Sequence, residues 1–375
     1  MTRALLAEPR DPADSPAPFR LCHEVAEAWE AVADDLAAAR RSIDFEQYIV
    51  GNDAIGRRIL GIMADRARAG VRVRVLLDWF GSLPLKDSDA VRDLHEAGGT
   101  VRFYNPLTAR AVLMAPTRIH RDHRKIVLID GEVAWLGGIC FTDRMCDWRD
   151  TFMRVGGTVP RPMAEMFDLS WRRAEHPTAK RRMTRAEAER DVYHRQDGPF
   201  RYMVNSPEKP IRRDLFRCVL ERIDEATHTL RLTTPYFVPE HRLLRHLTAA
   251  ARRGVVVTLL LPEVSDHPPL DILGRAFAER LVRAGCTVHF FRHRMMHAKV
   301  AIVDDAWACV SSHNLDRLSS RLNLENGVTS GDPTFIAALN DRFDRDLENS
   351  ITEPPALESW KPLLDPLLRL FGRVF

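Results

Sequence analysis

The chain has no long apolar run. No window approaches the roughly 18 residues that a membrane span needs, so any membrane contact is expected to be peripheral. Cysteine is scarce and scattered: Cys22, Cys140, Cys146, Cys218, Cys286 and Cys309 show neither metal-ligand nor disulfide-framework spacing, which points to reduced thiols in a cytosolic protein. A large excess of charge of one sign is absent: 55 Lys and Arg stand against 52 Asp and Glu. A net charge of +3 is too weak to argue for nucleic acid, though it is compatible with an anionic surface as partner. There is also no stripe of Lys and Arg with interleaved aromatics, as a nucleic-acid groove would want. The first twenty residues place Pro, Asp and Arg where a signal peptide needs an apolar core, so 1–20 reads as a flexible tail.

What is present is a globular composition, 45% hydrophobic and 29% charged, over 375 residues, and a long internal duplication. His123-Arg124-Lys125, four residues and Asp130 return as His297-Ala298-Lys299, four residues and Asp304. The flanks repeat too. Arg68-Ala69-Gly70 followed by Val71 to Leu77 matches Arg252-Arg253-Gly254 followed by Val255 to Leu261; each is a helix end, a Gly stop and a β-branched strand. Ala97-Gly98-Gly99-Thr100-Val101 echoes Ala284-Gly285-Cys286-Thr287-Val288, and Ser42 to Tyr48 matches Thr229 to Phe237 as an opening strand. Each half reads helix, strand, helix, strand, helix, strand, then a His-Lys strand and one more. The fold class is α/β: two duplicated lobes, each a mixed sheet flanked by helices. The divisions fall at 21–171 for the first lobe, 172–196 for a charged linker (with Thr184 to Val192 helical in part), 197–349 for the second lobe and 350–375 for an apolar, basic tail.

The apolar runs after each Lys read as strands, and residues i and i+2 of a strand share a face, so His and Lys emerge together. Asp130 and Asp304, seven positions on, fall on the other parity and read as structural groups. Gly138 and Ser312 both stand at +15 from their His, and Cys140 and Asn314 at +17. Small residues there let a phosphate approach backbone N–H groups, and an Asn amide adds a donor. Asp150 at +27 and Glu325 at +28 supply a carboxylate for the far nitrogen of each imidazole. A paired His-Lys site has one obvious use, attacking and holding a phosphodiester. His120, three residues before His123, has no acidic or cysteine ligands near it and reads as a loop histidine rather than a zinc ligand.

These strings resemble the phospholipase D superfamily, whose signature is a doubled HxKxxxxD motif, over roughly residues 40 to 330. Thr234-Pro235-Tyr236-Phe237-Val238-Pro239 and Asn314-Leu315-Asp316 through Glu325 resemble its bacterial cardiolipin synthase branch. Cys140 departs from the Asn usual in the first-half turn. The resemblance implies one site at the lobe interface built from His123, Lys125, His297 and Lys299. One imidazole attacks phosphorus, the other protonates the leaving alkoxide, and the lysines hold the phosphate without metal or other cofactor. His123 takes the nucleophile's role and His297 the acid's by analogy alone. The implied activity is phosphatidyl transfer from phosphatidylglycerol or a related lipid; the alternatives are hydrolysis to phosphatidic acid, a superfamily nuclease and a lipid-binding scaffold without activity. The implied partner is an anionic phospholipid at the inner face of the cell membrane. The stretch Leu357 to Phe375 leaves two readings open, an interfacial segment on an anionic bilayer and a terminal helix docked on the body.

Overall fold

A computed structural model describes residues 19–107, 120–175, 198–207 and 213–352. The expected linker helix at 184–192 and the 357–375 segment lie outside the described residues. The first half runs β1 (Phe19–Glu24), α1 (Val25–Ala38), β2 (Ser42–Gln47), α2 (Ala54–Arg68), β3 (Arg72–Asp78), α3 (Asp89–Glu96), β4 (Thr100–Tyr104), β5 (Arg121–Asp122), β6 (Ile126–Ile129), β7 (Val133–Gly137), β8 (Arg149–Val155) and α4 (Pro160–Glu175). The second runs β9 (Phe200–Asn205), α5 (Asp214–Glu225), β10 (Thr229–Thr233), α6 (His241–Arg252), β11 (Val256–Pro262), α7 (Pro268–Arg283), β12 (Thr287–Phe291), β13 (Val300–Val303), β14 (Trp307–Ser311), α8 (Arg317–Arg321), β15 (Asn323–Ser330), α9 (Pro333–Glu348) and β16 (Ser350–Ile351).

The two sheets share one strand order. The first is β1-β8-β7-β6-β2-β3-β4, and the second is β9-β15-β14-β13-β10-β11-β12, extended by β16 beyond β12 and by β5 on β15. In each, the three strands that alternate with helices are parallel, and the strands that follow fold back antiparallel. The sheets are therefore mixed. The glycines read as helix stops do stop helices: Gly70, Gly98, Gly254 and Gly285 have φ of 89°, 95°, 91° and 95°, a backbone region open mainly to glycine.

The structure adds elements that the sequence reading does not contain. β1 and β9 precede the first helix of each half, and β8 and β15 follow the His-Lys hairpin. Helix α4 runs on to Glu175, and Ser350–Ile351, placed in the tail by sequence, pair with β12. One apolar cluster fills the middle of the molecule and draws on both halves, with Leu76, Ile126 and Phe167 beside Leu260, Ile302 and Phe335. Separate clusters lie under α1 to α3 and under α5 to α7. Among the described residues no helix is long and apolar enough to cross a membrane.

Candidate active site

The apolar ladders begin at Ile126 and Val300, so the His-Lys pairs stand in the extended segments just before β6 and β13 rather than within the strands. These two segments cross to the opposite half. Arg121 and Asp122 pair in parallel with Asn323 and Leu324 of β15, and His123 N–H donates to Leu324 O at 3.0 Å. On the other side, Arg149 N–H donates to Met295 O at 2.9 Å and His297 N–H to Arg149 O at 2.7 Å.

That register decides which carboxylate meets which imidazole. The residue after Leu324 is Glu325, and the residue after Arg149 is Asp150. His123 Nδ1 lies 2.9 Å from Glu325 Oε2, and His297 Nδ1 lies 2.6 Å from Asp150 Oδ2. Counting along the sequence associates each carboxylate with the His of its own half; the structure exchanges them. A carboxylate on Nδ1 holds the proton there and leaves Nε2 for chemistry. All four side chains are buried, as are Lys125 and Lys299. Lys125 Nζ donates to His123 O at 2.7 Å. Lys299 Nζ donates to His297 O and lies 3.0 Å from His297 Nε2.

Arg124, between His123 and Lys125, points away from the site. It is buried against Asp122 (Nε to Oδ1, 3.0 Å), Glu46 (2.7 Å) and Ser170 of α4 (2.5 Å), which fixes the segment's path. Its counterpart Ala298 has no such anchor.

The supporting residues divide. At Gly138 a Cβ would stand 2.3 Å from Asp150 Oδ1, so glycine makes room for that carboxylate. At the matching position Ser312 Oγ donates to Glu325 Oε2 at 2.5 Å. Each +15 residue thus shapes the carboxylate of its own half. Cys140 and Asn314 are buried at the ends of the same turns. Asp130 and Asp304 sit far from the chemistry, in left-handed turns with φ of 56° and 51°. Asp130 accepts from the backbone N–H groups of Arg40, Arg41 and Ser42, and Asp304 from those of Thr227, His228 and Thr229. Asp130→Ala or Asp304→Ala is expected to lower stability by about 1–3 kcal/mol while leaving the rate per folded molecule nearly unchanged. Thermal melts paired with activity measured well below the midpoint check this.

The electrostatics are not symmetric. Burial, then Lys125 and Lys299, push His123 well below the usual imidazole range. Burial and Lys299 bring His297 to about 4. Burial, with Lys125 adding repulsion, lowers Lys299 to about 8. Burial raises Glu325 to about 7. Asp150 is equally buried, yet Lys299 and His297 outweigh the burial and hold it below the usual carboxylate range.

Sequence reasoning missed the aromatic walls. Tyr48 meets the His123 ring edge-on at 4.9 Å and lies under Lys125 Nζ at 5.3 Å. Trp148 and Tyr236 flank His297 at 5.1 and 6.1 Å between ring centroids. Tyr236 Oη donates to Asp266 Oδ1 at 2.5 Å. Two signals were available, the proximity of Trp148 to Asp150 in sequence and the place of Tyr236 in the string 234–239. Among the described residues no group of three or more His, Cys, Asp or Glu side chains could hold a metal ion.

A doubled α/β sheet with two His-Lys segments meeting between its halves defines an enzyme of the phospholipase D type. The family described as cardiolipin synthase, PLD-like domain matches residues 32–153 and 219–347, and the chain belongs to it. The chain is 33% identical over 321 residues to cardiolipin synthase B of Salmonella typhi, covering 84% of this chain and 76% of that one. It is 29% identical over 326 residues to the major cardiolipin synthase of Bacillus subtilis, covering 85% and 66%. A phosphatidylserine synthase of Haemophilus influenzae has the same fold, with a TM-score of 0.73, 15% identity, and coverage of 96% of this chain and 94% of that one.

Proposed function

We propose that this chain is a phosphatidyltransferase that makes cardiolipin, taking a phosphatidyl group from phosphatidylglycerol or a related donor and passing it to the alcohol of a second phospholipid. The observation that carries the reading is the crossed pair of imidazole–carboxylate contacts with two buried lysines between them. The identity with cardiolipin synthases over most of the chain supplies the substrate class. His123, Lys125, His297 and Lys299 form the reacting set, Glu325 and Asp150 orient it, and Ser312, Gly138, Asn314 and Cys140 shape its floor.

The unequal carboxylates support a division of labour. A carboxylate near 7 beside His123 favours a neutral imidazole, the form a nucleophile needs. An ionised carboxylate beside His297 favours an imidazolium, the form an acid needs. Burial and Lys299 hold His297 low; the negative charge of a bound phosphodiester offsets that repulsion and raises it. His123 Nε2 then bonds to phosphorus as the P–O bond to the headgroup breaks, and His297 gives that oxygen its proton. The acceptor hydroxyl next surrenders its proton to His297 and attacks, and the N–P bond breaks. The lysines carry the charge on the phosphoryl oxygens throughout.

Two outcomes follow from this assignment. Asp150→Asn is expected to cost about 10²–10⁴-fold in kcat, more than Glu325→Gln, and the gap between them is expected to shrink with a p-nitrophenyl ester whose leaving group needs no proton. As pH rises through about 8, Lys299 loses its charge, so kcat/KM is expected to fall along an alkaline limb there; a profile flat well beyond that pH contradicts its role. Turnover is expected to survive EDTA unchanged.

On this reading the chain works at the inner face of the cell membrane, where its lipid substrates are. Incubation with labelled phosphatidylglycerol in vesicles, followed by resolution of the lipids, tests the activity. Cardiolipin with released glycerol supports transfer. Phosphatidic acid alone means hydrolysis, and oligonucleotide cleavage without lipid turnover overturns the reading.

A further inference from the structure

The two halves hold the turns after their His-Lys hairpins differently, and the difference leaves the buried amide of Gln47 unused. Strand β2 pairs Glu46 with Ile126, so the next positions along that ladder are Gln47 and Lys125, which share a face. In the second half β10 pairs Thr233 with Val300, so Thr234 stands beside Lys299 in the same way. Gln47 and Thr234 are therefore counterparts.

Thr234 is fully engaged. Its Oγ1 accepts from Leu315 N–H at 3.1 Å and donates to Tyr236 O at 3.2 Å. It thus pins the turn that carries Asn314. The residue matching Leu315 is Phe141, and its N–H goes instead to the backbone, Ile49 O at 3.2 Å. Backbone contacts alone hold the first-half turn, and Gln47 has no part in it. Gln47 is 1% exposed, and neither its Nε2 nor its Oε1 has a hydrogen-bond partner among the described residues. A buried amide without partners is costly and calls for a ligand.

The turn that Gln47 does not pin ends in Cys140, whose thiol is a weak donor where the other half has the amide of Asn314. Cys140 is buried at that turn, its backbone oxygen accepting from Trp29 Nε1 at 2.9 Å. We propose that Gln47 is a phosphate-binding residue, its Nε2 donating to a phosphoryl oxygen of the substrate in place of the amide that Cys140 lacks. The amide has moved from the turn to strand β2, and the two halves again offer one lysine and one amide each. This rests on reading the site as one for a phosphodiester.

Calorimetric titration of the full chain with tungstate, a phosphate mimic, tests it without relying on turnover. Gln47→Met keeps the volume and removes the donor, and is expected to weaken tungstate binding roughly 10- to 100-fold. Adding Cys140→Asn to that variant is expected to restore binding to within about threefold of the unmodified chain, which a merely structural role for Gln47 would not allow. Gln47→Glu, which keeps the shape but presents an acceptor to the anion, is expected to weaken binding at least as much, and serves if the Met variant does not fold. Unchanged affinity in either variant overturns the assignment, and so does a loss of equal size with and without the Cys140→Asn substitution. The tungstate pattern without turnover of any phospholipid would uphold Gln47 and sink the lipid reading.

Discussion

Replacing His123 by alanine is expected to abolish turnover, with a loss of about 10⁴-fold or more, because His123 is the group proposed to form the covalent intermediate. His297→Ala is expected to be as damaging with a natural lipid, whose alkoxide leaving group must be protonated. The two variants should part with a p-nitrophenyl phosphodiester. That leaving group departs as the anion, so His297→Ala should still release one equivalent of nitrophenol in a burst, while His123→Ala should release none. The double variant should be hardly slower than either single one, since the histidines act in one sequence of steps. A burst from His123→Ala but not from His297→Ala would reverse the assignment of roles.

Lys125→Ala and Lys299→Ala are each expected to cost about 10²–10³-fold or more in kcat/KM, the scale of removing a charged contact to the phosphoryl oxygens. Both ammonium groups are buried and lie close to the imidazoles, so their charge acts at low dielectric. Each also depresses the imidazoles. Removing one therefore has a second signature: NMR titration of His297 in Lys299→Ala should show its pKa moving up from about 4. Loss of activity without that rise would mean that the lysine acts only by binding. Arginine is not an equivalent replacement, because its planar fork needs more room than a buried ammonium occupies.

Much of this was legible in the sequence because it was written twice. The Gly70 and Gly254 stops, the strands that follow them and the paired His-Lys strings show their function through repetition at matched offsets. Strands β1 and β9 were not legible. Phe19–Glu24 mixes Arg, His and Glu with its apolar residues, and its partner β8 lies more than a hundred positions away. Such edge strands are made by the sheet that receives them, not by local preference. The exchange of carboxylates was hidden for a similar reason. It depends on a two-residue ladder between Arg121–Asp122 and Asn323–Leu324 and on the matching contact at Arg149, and no spacing along the chain records a contact between halves. The contact at Gly138 was equally hidden, because the close approach that excludes a side chain there comes from Asp150, a neighbour brought in by β8.

The asymmetry between the halves starts from single residues. Cys140 stands opposite Asn314, Gly138 opposite Ser312, and Arg124 opposite Ala298. Around them, one carboxylate stays ionised and the other is lifted to about 7. A symmetric pair of half-sites would leave either imidazole able to attack; the assignment proposed for His123 rests on this asymmetry.

One phosphate, held between both halves, is proposed to become bonded to His123. Acid-sparing quench of the His297→Asn enzyme, and of the reciprocal His123→Asn enzyme, after mixing with a p-nitrophenyl phosphatidyl ester, followed by peptide mass spectrometry, tests it directly. A phosphatidyl adduct is expected on the His123 peptide of the His297→Asn enzyme, and none on the His297 peptide of the reciprocal His123→Asn enzyme. An adduct on His297 in the reciprocal His123→Asn enzyme, or steady turnover with no adduct on either, would contradict it.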